Sequence, residues 1–118
     1  MHVFIELWTM NAEWARLDRS RREALVASLG ASTGAIVTAE GIEALGWGFS
    51  DATVDHPEGR QCFAVWRAPT SSALQRLAQA IVDGGWYRYA DQINVRGELQ
   101  APEAVIGRLL GQNAAGEA

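Results

Sequence analysis

Two side chains in this sequence could carry a proton. Glu6 lies two positions from Phe4 and two from Trp8 in the run HVFIELW (2–8). On a strand these three share one face. A carboxylate between two rings is desolvated, which raises its pKa and suits it to proton exchange. The competing arrangement is a sheet-wall glutamate paired with an arginine such as Arg67 or Arg96. His56 is one of two histidines, and it follows Asp55 and precedes Pro57 in DATVDHPEGR (51–60). A loop histidine near a carboxylate can serve as a general base near neutral pH. It can equally be a surface residue that hydrogen-bonds its own loop. Glu6 and His56 are the candidate acid/base residues.

Around them the sequence offers rings and amides. GGWYRYADQINVRG (84–97) carries Trp86, Tyr87, Tyr89, Gln92 and Asn94. With Trp8, Trp14, Trp47 and Trp66 the chain has five tryptophans in 118 residues, a density that suits either core filling or a cavity for a flat apolar compound. Tyr87 and Tyr89 would offer phenols at its mouth. Gln92 and Asn94 would orient a carbonyl or hydroxyl, or bond across the sheet. Metal binding is not expected, since no HxH, HExxH or CxxC occurs and two histidines with one cysteine cannot build a typical zinc site. An axial histidine for haem would have to be His56, in a loop with no helix to present it. There is no phosphate-binding GK[ST] loop and no serine or cysteine marked as a nucleophile beside His56. No cofactor is expected.

These residues need elements to position them. Residues 2–8 alternate, with Val3, Ile5 and Leu7 read as the core face and Phe4, Glu6 and Trp8 opposite. Residues 9–17 form a connector. A helix is predicted over 19–39, started by Asp18 or by a Ser20/Glu23 capping box, with Leu25, Leu29, Ser32 and Ile36 inward. Gly30 and Gly34 would let it approach the sheet or bend. Residues 42–50 read as a strand with Glu43, Leu45, Trp47 and Phe49 on one face. A loop over 51–60 leads to a strand over 61–68. Thr70 caps a helix to Asp83. Residues 89–96 form a fourth strand, with Ile93 and Val95 toward the core and Gln92 and Asn94 opposite. Pro102 starts a last helix. One domain over 1–111 is expected, with a flexible tail at 112–118.

The order β-α-β-β-α-β plus a helix is the ferredoxin-like α+β arrangement, a four-stranded antiparallel sheet with its helices on one face. The opposite face, holding Phe4, Glu6 and Trp8, would be too apolar to lie open. Two copies packed sheet to sheet would cover it, as a dimeric α+β barrel. Net charge is -4, which argues against nucleic acid or an anionic membrane as partner. The cluster Arg16, Arg19, Arg21 and Arg22 is interleaved with Asp18 and Glu23 and reads as a solvated face. Cys62 is alone, so no internal disulfide forms. No secretory leader or apolar span is visible, and a cytoplasmic location is the default.

The segments FIELW, EALGWGFSDATVDH, FAVWRAP and GWYRYADQINVRG resemble a family of uncharacterised bacterial proteins in the dimeric α+β-barrel superfamily. The D-x-x-x-D-H loop (Asp51, Asp55, His56) and the W-Y-x-Y-x-D-Q-x-N run are its most specific parts. That superfamily includes cofactor-free antibiotic-biosynthesis monooxygenases, polyketide cyclases, isomerases and haem-degrading or chlorite dismutase-like proteins. The resemblance implies the fold and a homodimer more firmly than a reaction. Two functions follow as expectations. One is a cofactor-independent enzyme acting on a flat apolar compound by acid/base chemistry. The other is a non-catalytic ligand-binding or dimerisation module.

Overall fold

The computed structural model describes residues 1–112. The tail expected over 112–118 lies, from residue 113 onward, outside them. Strand β1 is His2–Met10, followed by a short helix α1, Ala12–Ala15, and a long helix α2, Arg19–Glu40. Strands β2, Glu43–Phe49, and β3, Cys62–Ala68, come next. Helix α3, Ser71–Asp83, leads through a 3₁₀ turn, Trp86–Arg88, to β4, Ala90–Glu98, and helix α4, Pro102–Leu110. The sheet order is β2-β3-β1-β4 with every neighbouring pair antiparallel. This is the expected ferredoxin-like arrangement. No helix among the described residues is long and apolar enough to cross a membrane.

Local chemistry fixes the joints. Asn11, in the predicted connector, caps α1 by accepting hydrogen bonds from the Glu13 and Trp14 amides. Asp18, not Ser20, caps α2, and its side chain accepts from the Arg21 amide. The Ser20/Glu23 capping box is not formed, because Glu23 instead bonds Arg19 at 2.8 Å. Gly41 ends α2 in the left-handed conformation, φ 65°, where a side chain would be strained. Thr70 caps α3 and Pro102 opens α4, as expected.

The sheet faces are the reverse of the expectation. Phe4, Trp8, Ala64, Trp66, Ala68 and Ala90 are buried against Leu74, Leu77 and Ile81 of α3. Val3, Ile5 and Leu7 point outward, in register with Arg67, Val65 and Phe63 on one side and Gly97, Val95 and Ile93 on the other. Ile93 is 40% exposed and Val95 53%. Both faces of β1 are apolar, so alternation fixes which residues share a face but not which face the helices cover. The helices take the ring-bearing face, whose larger side chains bury more apolar area.

A second reversal occurs in β2. The register shifts between Ala44 and Gly46, so a bulge at Leu45 breaks the alternation. Glu43 therefore shares the outer face with Gly46 and Gly48, while Trp47 pairs with Ala64 on the helix side. Glu43, Leu45, Trp47 and Phe49 do not form one face. On the outer side, Phe63 covers Gly48 so closely that an added Cβ would sit 2.7 Å from its ring.

Candidate functional site

A cavity of about 200 Å³ lies between α2, α3 and the helix-facing side of the sheet. Its walls are Val26, Leu29 and Thr33 from α2, Leu77 and Ile81 from α3, and the indoles of Trp47, Trp66 and Trp86. Helix α2 packs on α3 and buries no residue fully. Leu25, Leu29 and Ile36 do turn inward, with Thr33 in place of the expected Ser32. Gly30 does not touch the sheet: nothing lies within 4 Å of a Cβ built on it, and it borders the cavity. The missing side chain leaves the space open.

Glu6 also borders this cavity, and it is only 3% exposed. Strand alternation places it among Phe4, Trp8 and Trp66 under the helices. It forms no ion pair among the described residues. Arg67, a partner considered for it, instead pairs with Glu43 at 2.7 Å on the outer face. Glu6 is held by neutral donors. Trp66 Nε1 donates to Oε2 at 2.8 Å, and Gln92 Nε2 donates to Oε1 at 2.8 Å. Burial pushes its pKa upward, while the bonds from Trp66 and Gln92 pull it down; burial wins.

Gln92 is itself fixed. Its Oε1 accepts from Trp86 Nε1 at 2.9 Å, and its Nε2 also donates to Asn94 Oδ1 at 2.8 Å. Asn94 Nδ2 donates to the Tyr87 hydroxyl at 3.0 Å. Burial raises the Tyr87 pKa; the Asn94 bond lowers it and the Glu6 charge raises it further. Tyr87 and Trp86 stand on the 3₁₀ turn, not on the strand. The Gly84-Gly85 stop makes that turn possible, with Gly85 at φ 78°.

The structure thus gathers Glu6, Trp47, Trp66 and Trp86 at one cavity, and Gln92, Asn94 and Tyr87 into the network that holds Glu6. It places the others elsewhere. Trp8 stands behind the wall, edge-on to Trp47 at 5.2 Å and to Trp86 at 6.3 Å. Tyr89 turns away from the cavity, under the Arg88 guanidinium at 5.6 Å. His56 sits on the exposed 50–61 loop at φ 52° and borders no described cavity, so it does not join Glu6. That loop is shaped by Asp51, which accepts from the Thr53 amide and hydroxyl. The loop overhangs a wider concavity of about 600 Å³, floored by Phe49 and Phe63. Sequence reasoning missed Val26, Leu29, Thr33, Leu77 and Ile81 as cavity walls; Leu29, Leu77 and Ile81 lie on helix stripes that read as core, and Val26 and Thr33 lie beside the predicted stripe. Among the described residues, no group of three or more His, Cys, Asp or Glu side chains could hold a metal ion.

Fold and site together define a ferredoxin-like α+β protein with an aromatic cavity between its sheet and its helices. The chain belongs to a family of unknown function, DUF6616, whose model matches residues 1–112. No curated protein matches it. Several solved structures share the fold. A novel heme-binding protein from Thermus thermophilus aligns with TM-score 0.66 at 16% identity, over 93% of this chain and 44% of its own. The chlorite dismutase of Candidatus Nitrospira defluvii, in complex with imidazole, aligns with TM-score 0.58 at 19% identity, over 90% and 42%. The Arabidopsis thaliana protein At3g17210 aligns with TM-score 0.58 at 11% identity, over 86% and 97%. The chain thus spans less than half the length of the first two and nearly all of the third. At these identities the likeness shows the fold alone.

Proposed function

We propose that this chain is a cytoplasmic, homodimeric small-molecule-binding protein. Its cavity would hold a flat apolar compound beside Glu6, which exchanges a proton with it. One observation carries this reading: a carboxylate 3% exposed, with no ionic partner among the described residues, beside an indole-lined cavity. A carboxyl group whose pKa is raised by burial is suited to accept or deliver a proton near neutral pH. Trp66 and Gln92 orient it, and the lining side chains exclude water. The lone Cys62, half-buried with its thiol pKa raised by burial, accords with a reducing compartment.

Two of the fold relatives are named for heme binding or chlorite dismutation. No histidine or cysteine lines this cavity, and Glu6 with its two donors borders the space. This donor set does not fit a haem, and the proposed chemistry runs through the chain's own residues.

The dimer is supported by the outer sheet face. Ile5, Leu7, Phe63, Val65, Ile93 and Val95 form one contiguous apolar patch that the protomer leaves uncovered. A two-fold axis through it would close a barrel of two sheets. The barrel interior would be this aliphatic face, not the Glu6 face.

The test is a thermal-shift screen of small aromatic compounds against wild type and Gly30→Leu. The leucine fills the cavity and improves helix propensity, by up to ~1 kcal/mol. Compounds that stabilise wild type and leave Gly30→Leu unmoved support the site. Equal shifts in both proteins place binding elsewhere. For a compound that is turned over, Glu6→Gln should abolish turnover; retained turnover removes the proton-transfer role and leaves a binding protein.

A further inference from the structure

The hydrogen bonds around Glu6 specify more than a polar group. Trp66 Nε1 can only donate. Gln92 has its carbonyl taken by Trp86 Nε1 at 2.9 Å, so it turns its NH₂ toward Glu6. Both oxygens of Glu6 therefore meet donors at 2.8 Å. A neutral carboxylic acid would need an acceptor for its own proton, and no such bond is present among the described residues. These donors favour the carboxylate form of Glu6, against the burial that disfavours its charge.

An anion at 3% exposure calls for a positive charge. The chain supplies none at this place. Glu6 is the one charged side chain lining the cavity among the described residues. The sequence contains no lysine whose long, flexible side chain could swing in. Of the arginines, Arg67 is held by Glu43, Arg76 by Glu40 and Arg22 by Trp14, its guanidinium 5.2 Å from that ring, while Arg96, opposite Phe4 on the Glu6 face of β4, is exposed and does not line the cavity. What the cavity does supply, beside the carboxylate, is Trp47, Trp66 and Trp86. Indole faces attract cations, and tryptophan does so best among aromatic residues.

We infer that the compound bound here carries a protonated amine on an aromatic or aliphatic body, its ammonium nitrogen paired with Glu6 and flanked by the lining indoles. This rests on the reading of the cavity as a ligand site and names the class of ligand it takes. The cation replaces the missing counter-charge, and the apolar body covers Leu29, Leu77 and Ile81. A neutral compound leaves the carboxylate uncompensated, and an anion is repelled by it.

The experiment is titration calorimetry at pH 7.5 with three probes of similar size: phenethylammonium chloride, 2-phenylethanol and sodium 3-phenylpropanoate. Wild type should bind the ammonium at least about tenfold more tightly than the alcohol, as a charge-assisted bond implies, and should not bind the carboxylate. Glu6→Gln should keep the alcohol and lose the preference for the ammonium. Trp47 is 61% exposed, so Trp47→Leu spares the fold. It should weaken the ammonium more than the alcohol. Equal affinity of wild type for ammonium and alcohol overturns this inference and leaves the cavity reading standing. An ammonium preference that survives Glu6→Gln removes the pairing, and equal losses in Trp47→Leu count against the indoles. If no probe binds at millimolar concentration, both the inference and the ligand-site reading fall.

Discussion

The two faces of β1 are built from neighbouring residues and do opposite things. One face, Phe4, Glu6 and Trp8, lies under the helices and is 2%, 3% and 6% exposed. The other, Ile5 and Leu7, is half-buried beside Ile93 and Val95. The first combines rings, a carboxylate and a chain of oriented amides. The second is aliphatic but for the Phe63 ring, with Arg67 and Glu43 paired at its rim. Polar groups buried at high cost sit where geometry is fixed by packing and hydrogen bonds. Plain apolar surface sits where the proposed second copy would fit.

The contrast can be broken from either side. Leu77 is fully buried beneath the cavity, and Leu77→Ala should cost about 2–5 kcal/mol in chemical denaturation. A loss below about 1 kcal/mol would mean that the helix layer is not packed as described. On the outer face, Ile93→Asp should dissociate the proposed dimer in sedimentation equilibrium at micromolar concentration. The fold of the protomer should survive, as shown by unchanged far-ultraviolet circular dichroism. A dimer that persists would place the two-fold axis elsewhere.

The next effect is one of pH. Glu6 has its pKa raised by burial from the ordinary 4.5, so above that value the native state holds a proton the unfolded chain has lost. Its contribution to stability therefore falls as pH rises from about 4.5 through the folded pKa. Denaturation of wild type and Glu6→Gln between pH 4 and pH 8 should show wild type losing ground to the variant as pH rises. A constant difference would mean that Glu6 titrates normally. The smallest effect belongs to His56. Its exposed loop position predicts that His56→Ala changes stability by less than about 0.5 kcal/mol and leaves ligand binding unchanged. A large loss of binding would return the 50–61 loop to the site.

These contrasts also show what the sequence could and could not reveal. The element order, the antiparallel sheet and the caps at Asp18, Thr70 and Pro102 follow from local signals, which depend on neighbours within a few residues. Glu6 stood out because a carboxylate between Phe4 and Trp8 conflicts with its surroundings. The direction of the faces was hidden, since Val3, Ile5 and Leu7 are as apolar as the set they alternate with. The β2 assignment failed because one extra residue at Leu45 changes the parity of all that follow. The cavity itself arises between α2, α3 and the sheet, from residues far apart in sequence. Gly30 marks it only by the side chain it lacks.

The tryptophans have a consequence of another kind. Trp66, Trp47, Trp8, Trp86 and Trp14 follow one another at centroid distances of 5.9, 5.2, 6.3 and 6.2 Å, each pair crossed edge to face. No indole of the protein is optically isolated. Light absorbed by any of them is shared along the row, and the intense indole band in the far-ultraviolet circular dichroism should carry the splitting of coupled chromophores. Because three of the five border the cavity, an occupant shifts the spectrum of the whole row. The protein therefore carries its own unlabelled optical reporter of occupancy.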